Sequence, residues 1–171
     1  LDAMPPGRRP VAPMVREEDD RPLVYEEVRR ELSRGKRVFV VLPRIEEGGL
    51  GDLKAVRETA RHLQREVFED CSIGMLHGRM ALEERAETMD KFRSGGISIL
   101  GATPVVEVGV DVPEATVMIV EHADRFGLAQ LHQLRGRIGR GEEPSTCFLM
   151  AGPAAGEEGR RRLATMAATV D

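Results

Sequence analysis

Between Gln133 and Arg140 the chain reads Q-L-R-G-R-I-G-R, three arginines and two glycines in eight residues. A guanidinium group is always charged and offers a planar fork of donors, so clustered arginines suit the oxygens of a phosphate. Arg137 and Arg140 stand three residues apart and would point the same way from a helix end. Gly136 and Gly139 would let another backbone or a nucleotide come close. Charge this dense makes little sense inside a core. An isolated R-G-R is most often a solvated face or a loose nucleic-acid contact. Here the tract ends an amphipathic run, Leu128, Leu131, Leu134 and Ile138, which would fix the arginines in place.

Two further segments carry candidate chemistry. In A-T-P-V-V-E-V-G-V-D-V-P, Ala102 to Pro113, Thr103 offers a hydroxyl that could hold a phosphate. Gly109 permits close approach, and Asp111 could accept hydrogen bonds from sugar hydroxyls or simply cap a turn. His77-Gly78-Arg79 is most simply a capped turn at a strand end. Arg44 and Arg79 are candidates by loop position only.

The elements that must position these residues alternate. A helix is predicted from Asp20 and Pro22 to Gly35, with Val24, Val28 and Leu32 on one face. Val38 to Leu42 is a continuous apolar run, as expected of a strand buried on both faces. Asp52 is placed to cap a second helix whose stripe is Leu53, Val56, Ala60, Leu63 and Val67. Ile73 to Leu76 reads as a strand. Leu82, Ala86, Met89 and Phe92 mark a helix closed by Gly95-Gly96. Strands follow at Ile97 to Ala102, Val117 to Glu121 and Thr146 to Met150, with a last helix at about Glu157 to Ala168. Such alternation implies right-handed crossovers and a mainly parallel α/β sheet with helices on both faces. Ligands then bind beyond the carboxyl ends of the strands, where Pro43 to Gly51, His77 to Met80, Thr103 to Pro113 and Glu121 to Phe126 would gather. The first fifteen residues hold four prolines and read as a tether, with a short strand allowed around Val11 to Val15.

Composition excludes several classes. At 171 residues the chain fits one domain that needs neither metal nor disulfide staple. A formal net charge of -4 rules out a uniformly basic coat, so any nucleic-acid contact must be local. Cys71 and Cys147 have no paired spacing and read as reduced buried thiols. The four histidines form no ligand-spaced cluster, and no apolar run approaches membrane-spanning length. The expectation is a cytoplasmic protein without a metal of its own and without a membrane partner.

L-H-G-R-M (Leu76 to Met80), A-T-P-V-V-E-V-G-V-D-V-P and R-F-G-L-A-Q-L-H-Q-L-R-G-R-I-G-R (Arg125 to Arg140) together resemble the second motor lobe of the RecG family of superfamily 2. These are bacterial ATP-dependent DNA helicases of repair and recombination. The opening L-D-A-M-P-P-G-R-R-P and the L-P-R-I-E-E-G after the first long strand fit the same likeness. The transcription-repair coupling factor shares most of the Arg125 to Arg140 block, and a non-catalytic adaptor of similar fold is a further alternative. A dinucleotide-binding domain is disfavoured because no G-x-G-x-x-G follows the first strand.

The resemblance implies a three-layer RecA-like lobe over 21-155, an interlobe tether over 1-20, and a C-terminal helix over 156-171 leading to a translocation segment. It implies that Arg137 and Arg140 approach the γ-phosphate of ATP bound on a partner lobe, with Gln133 helping to position the site. Gly109 and Asp111 would lie on the nucleotide side, Asp111 near the ribose, and Gly78, Arg85 and Thr103 would touch the nucleic-acid backbone. Pro104 stands where the family usually has a second threonine, removing a hydroxyl and an N–H donor. The sequence holds no G-x-x-x-x-G-K-[ST] phosphate loop and no D-E-x-H motif. ATP with its Mg2+ would therefore sit on the first lobe. Expected partners are branched or duplex DNA together with a first motor lobe and a wedge domain. The chain alone is expected to hydrolyse no ATP.

Overall fold

The computed structural model describes residues 11–44, 50–103, 112–138 and 143–168. Six strands form one sheet: β1 (Val11–Arg16), β2 (Arg37–Val41), β3 (Ile73–Leu76), β4 (Ile99–Ala102), β5 (Ala115–Val120) and β6 (Ser145–Met150). Their order is β1-β6-β5-β2-β4-β3, and every pairing is parallel. The central strands have no polar alternation because neither of their faces meets water: all six residues of β5 and all four of β4 are buried.

Side chains alternate strictly between two helical layers. Val38, Val40, Ile99, Val117 and Ile119 point to one face, where Val24 and Val28 of α1 (Arg21–Ser33) and Leu63 beyond α2 (Leu50–His62) complete a core. Phe39, Val41, Leu100, Met118, Val120 and Leu149 point to the other. There they meet Met89 and Phe92 of α3 (Leu82–Ser94), Leu131 of α4 (Leu128–Arg135) and Leu163 and Met166 of α5 (Gly156–Ala167). Phe92 lies against Phe39 with ring centroids 4.8 Å apart. The result is the three-layer α/β arrangement expected from the alternation of elements.

Several details depart from the sequence reading. The short strand allowed at Val11 to Val15 is present as β1, one residue longer, and pairs in register with β6 from Val11 opposite Ser145 to Arg16 opposite Met150. The second helix starts at Leu50, so Asp52 lies inside its first turn rather than at its cap. Its far end widens into a π turn over Leu63–Val67, which keeps Leu63 buried where a regular helix would end. Leu82 and Ala86 do not share the buried stripe of α3: Leu82 is 74% exposed, because only the second half of α3 lies over the sheet. Cys71 is half-buried rather than buried.

Main-chain bonds carry the ladder past the strand ends and hold the carboxyl edge together. The Leu42 amide donates to Ala102, Glu121 to Val41, Thr103 to Leu76 and Ala151 to Arg16. Four neighbouring loops are thereby fixed to one another before any side chain is considered.

Candidate functional site

The arginine motif is delivered by α4. After β5 the chain turns through His122, which holds a left-handed φ of 48°, and a short 3-10 turn at Ala123–Arg125. Gln130 reaches back to accept the Gly127 amide at 3.0 Å, satisfying one of the free donors of the first turn. Leu131 and Ile138 are fully buried, which fixes the rotation of the helix and of the turn after it. Gln133 faces solvent on the opposite side. Arg137 follows Gly136 in the closing turn, half-buried, with its amide bonded to the Leu134 carbonyl at 2.9 Å.

Arg135 corrects the view that the motif's charge lies wholly outside the core. It is 4% exposed, with its guanidinium 3.2 Å from His132 Nδ1 and close enough to Cys147 to oppose the burial that raises that thiol. The signal was present in the spacing, since Leu128, Leu131, Arg135 and Ile138 follow helical periodicity as well as the leucines do. A buried guanidinium there ties the motif to the core. Past the motif, Glu143 receives Arg34 at 2.6 Å, so the segment ends against the C-terminal end of α1 at the amino edge of the sheet.

The remaining candidates stand on the carboxyl edge. His77 ends β3 and is 9% exposed. Its Nδ1 accepts the Arg79 amide at 3.3 Å, and its carbonyl accepts the Met80 amide, as in the capped turn expected. Burial, then Arg57, hold its imidazole below the ordinary histidine value against the opposing pull of Glu84, with Arg85 and Arg79 adding to the depression. Gly78 and Arg79 are exposed. Arg85, on the first turns of α3, donates from Nε to the Met80 carbonyl at 3.2 Å and from Nη2 to the Gly78 carbonyl at 3.1 Å. Thr103 is 1% exposed, and its hydroxyl is a buried polar group with no hydrogen-bond partner among the described residues. Gly109, Asp111, Pro104 and Arg140 lie outside the described residues.

Sequence reasoning missed one ion-pair network on the same edge. Arg21, at the start of α1, binds Glu121 and Glu18 together and lies beside the Tyr25 hydroxyl. An open cleft of about 410 Å³ adjoins it, floored by Leu42 and Leu63. Arg21 and Glu121 are a hundred positions apart, so no local spacing could have joined them.

The arrangement thus has two parts: exposed Gln133 and half-buried Arg137 on the flank, and the His77 to Met80 turn with Arg85 and Thr103 at the carboxyl edge. Residues 22–142 match the model of the helicase conserved C-terminal domain. The chain belongs to this family. The domain is also similar to proteins named ATP-dependent DNA helicase RecG. It is 43% identical to that of Synechocystis over all of this chain and 20% of the relative. With that of Thermotoga maritima it is 47% identical over 95% of this chain and 21% of the relative. A solved structure of RecG bound to a three-way DNA junction superposes with a TM-score of 0.81 and 45% identity, over 99% of this chain and 22% of that one. The yeast DEAD-box splicing factor Prp28, 17% identical over 98% of this chain and 34% of its own, shares the fold with a TM-score of 0.69. This helicase domain therefore spans about a fifth of the length of the curated relatives described here. The RecG-type lobe is favoured over the coupling-factor and adaptor alternatives.

Proposed function

We propose that this domain is the second motor lobe of an ATP-dependent DNA helicase of the RecG type, which remodels branched DNA and stalled replication forks in the cytoplasm. The observation that carries this reading is the placement of the exposed Gln133 on α4 and the half-buried Arg137 in the turn after it, between the core-buried Leu131 and Ile138. In this reading Arg137 and Arg140 reach the γ-phosphate of ATP held on a first lobe, and Gln133 positions them. Guanidinia so placed stabilise the charge that develops on the transferred phosphoryl group. Gly109 and Asp111 face the nucleotide, Asp111 near the ribose.

The carboxyl edge supplies part of the DNA track. Gly78, Arg85 and Thr103 lie there, and the Thr103 hydroxyl has a donor available to a phosphate oxygen once the rim opens around it. Closure of the lobes on ATP and release after hydrolysis would shift this track along duplex or branched DNA. The first lobe and a wedge domain are the intramolecular partners. Mg2+ would accompany ATP on the first lobe. Among the described residues no three of His, Cys, Asp or Glu come together as a metal site.

Assays of ATP hydrolysis test the reading. The 171-residue chain alone is expected to show no DNA-stimulated turnover, and the polypeptide that joins it to a first lobe is expected to show it. Robust turnover by the chain alone would overturn the proposal.

A further inference from the structure

At the carboxyl edge Arg85 is committed to the protein's own backbone. Its Nε and Nη2 donate to the carbonyls of Met80 and Gly78, two residues apart on the turn between β3 and α3. The same turn is fastened from within. The Met80 amide bonds the His77 carbonyl, the Arg79 amide bonds His77 Nδ1, and the His77 amide lies 3.4 Å from Met80 Sδ. Glu84 receives the Ala81 amide at 3.4 Å, so the start of α3 is capped from the same helix that carries Arg85. A planar fork spanning two carbonyls fixes both the direction and the spacing of a turn, which a point charge cannot do.

We infer that Arg85 is a positioning residue: its fork across Gly78 and Met80 sets the His77–Ala81 turn so that the exposed Gly78 and Arg79 present to the nucleic-acid backbone. This deepens the reading of the carboxyl edge as a DNA track and rests on it. Direct phosphate contact by Arg85 makes a different set of forecasts. Neutralising a phosphate releases counterions, so losing a direct contact lowers the slope of log affinity against log salt by about one. Losing a brace misplaces the remaining contacts without changing how many phosphates are neutralised.

The test measures the concentration of blunt duplex DNA that half-activates ATP hydrolysis by the full-length polypeptide, across a series of KCl concentrations. Arg85→Ala is expected to raise it about tenfold at every salt, as loss of a charge-assisted brace would, with the slope kept. Arg85→Lys is expected to behave like Arg85→Ala, since one ammonium cannot span both carbonyls. A slope reduced by about one in Arg85→Ala, with rescue by Arg85→Lys, would overturn positioning in favour of direct contact. Unchanged activation in both variants would overturn it in favour of a purely structural brace. A wild type whose turnover ignores DNA would instead overturn the track reading itself, and this inference with it.

Discussion

The guanidinium of Arg21 grips the carboxylate of Glu121 with two parallel hydrogen bonds of 2.7 and 2.8 Å, joining the first turn of α1 to the end of β5. The same guanidinium holds Glu18 at 2.7 Å, so three segments of the carboxyl edge converge on one side chain. With side-chain exposures of 20% and 13%, the Arg21–Glu121 pair is screened far less than a surface pair. Removing one partner leaves the other poorly solvated and unpaired. Arg21→Ala is expected to lower folding stability by about 2 kcal/mol, read from denaturant midpoints. Arg21→Lys should recover less than half, because the bidentate geometry is lost with the fork. A loss within about 0.5 kcal/mol for Arg21→Ala would show that the pair only decorates the edge.

His77 makes stability depend on pH with a definite sign. Its imidazole is held below its ordinary value of 6.5, mainly by burial and by Arg57. Between the folded and unfolded values the unfolded chain binds more protons, so stability rises with pH through that window and is flat above it. Acidification from about pH 7.5 to about pH 5.5 should therefore destabilise the protein. Glu17 and Glu18, lowered from 4.5 mainly by hydrogen bonds from Arg160 and Arg21 respectively, add stability that is lost only at more acid pH. His77→Asn, whose side-chain oxygen can take the place of Nδ1 as acceptor for the Arg79 amide, should flatten the upper window in thermal melts. An unchanged slope in that variant would assign the effect to other groups.

The two thiols should differ in reactivity. Cys147 is 1% exposed, and burial pushes its thiol up to about 12 despite the nearby Arg135. Cys71 is raised as well, by burial and by Asp70, but it is half-buried and reachable. The thiolate is the reacting form, so a charged disulfide reagent at about pH 8 should label one cysteine slowly in the native protein, and that one should be Cys71. Both should react in denaturant. Peptide mapping that found Cys147 labelled first would contradict the burial seen here.

How much of this was legible in the sequence varied with how local the cause was. The strands were, because runs such as Val38 to Leu42 are apolar on both faces, and Ile73 to Leu76 was placed to the residue. Pro22 in the first turn of α1 and Gly35 just past its end, which takes a φ of 79°, mark the helix limits from backbone stereochemistry alone. Leu82 misled because helical spacing says which residues share a face, but not how far along the helix the sheet extends beneath it. For Arg135 the dense charge points out of the core and the helical periodicity points into it; periodicity prevails because a buried guanidinium is tolerated beside groups such as His132 that it can bond. Arg85 was legible as a rim residue, but its two carbonyl partners depend on a turn geometry that composition does not encode. The Arg21–Glu121 pair depends wholly on strand order, which places β5 next to β6 and β2.

The central claim is that Arg137, in a turn fixed by the buried Leu131 and Ile138, acts on ATP carried by another lobe. Its most direct test is the DNA-stimulated ATP turnover of the full-length polypeptide carrying Arg137→Ala, with the melting temperature and DNA affinity measured alongside. The account expects turnover to fall by about 10³-fold or more, as loss of an arginine finger does, with melting temperature and DNA affinity close to wild type. Turnover within about threefold of wild type in a folded, DNA-binding variant would contradict it.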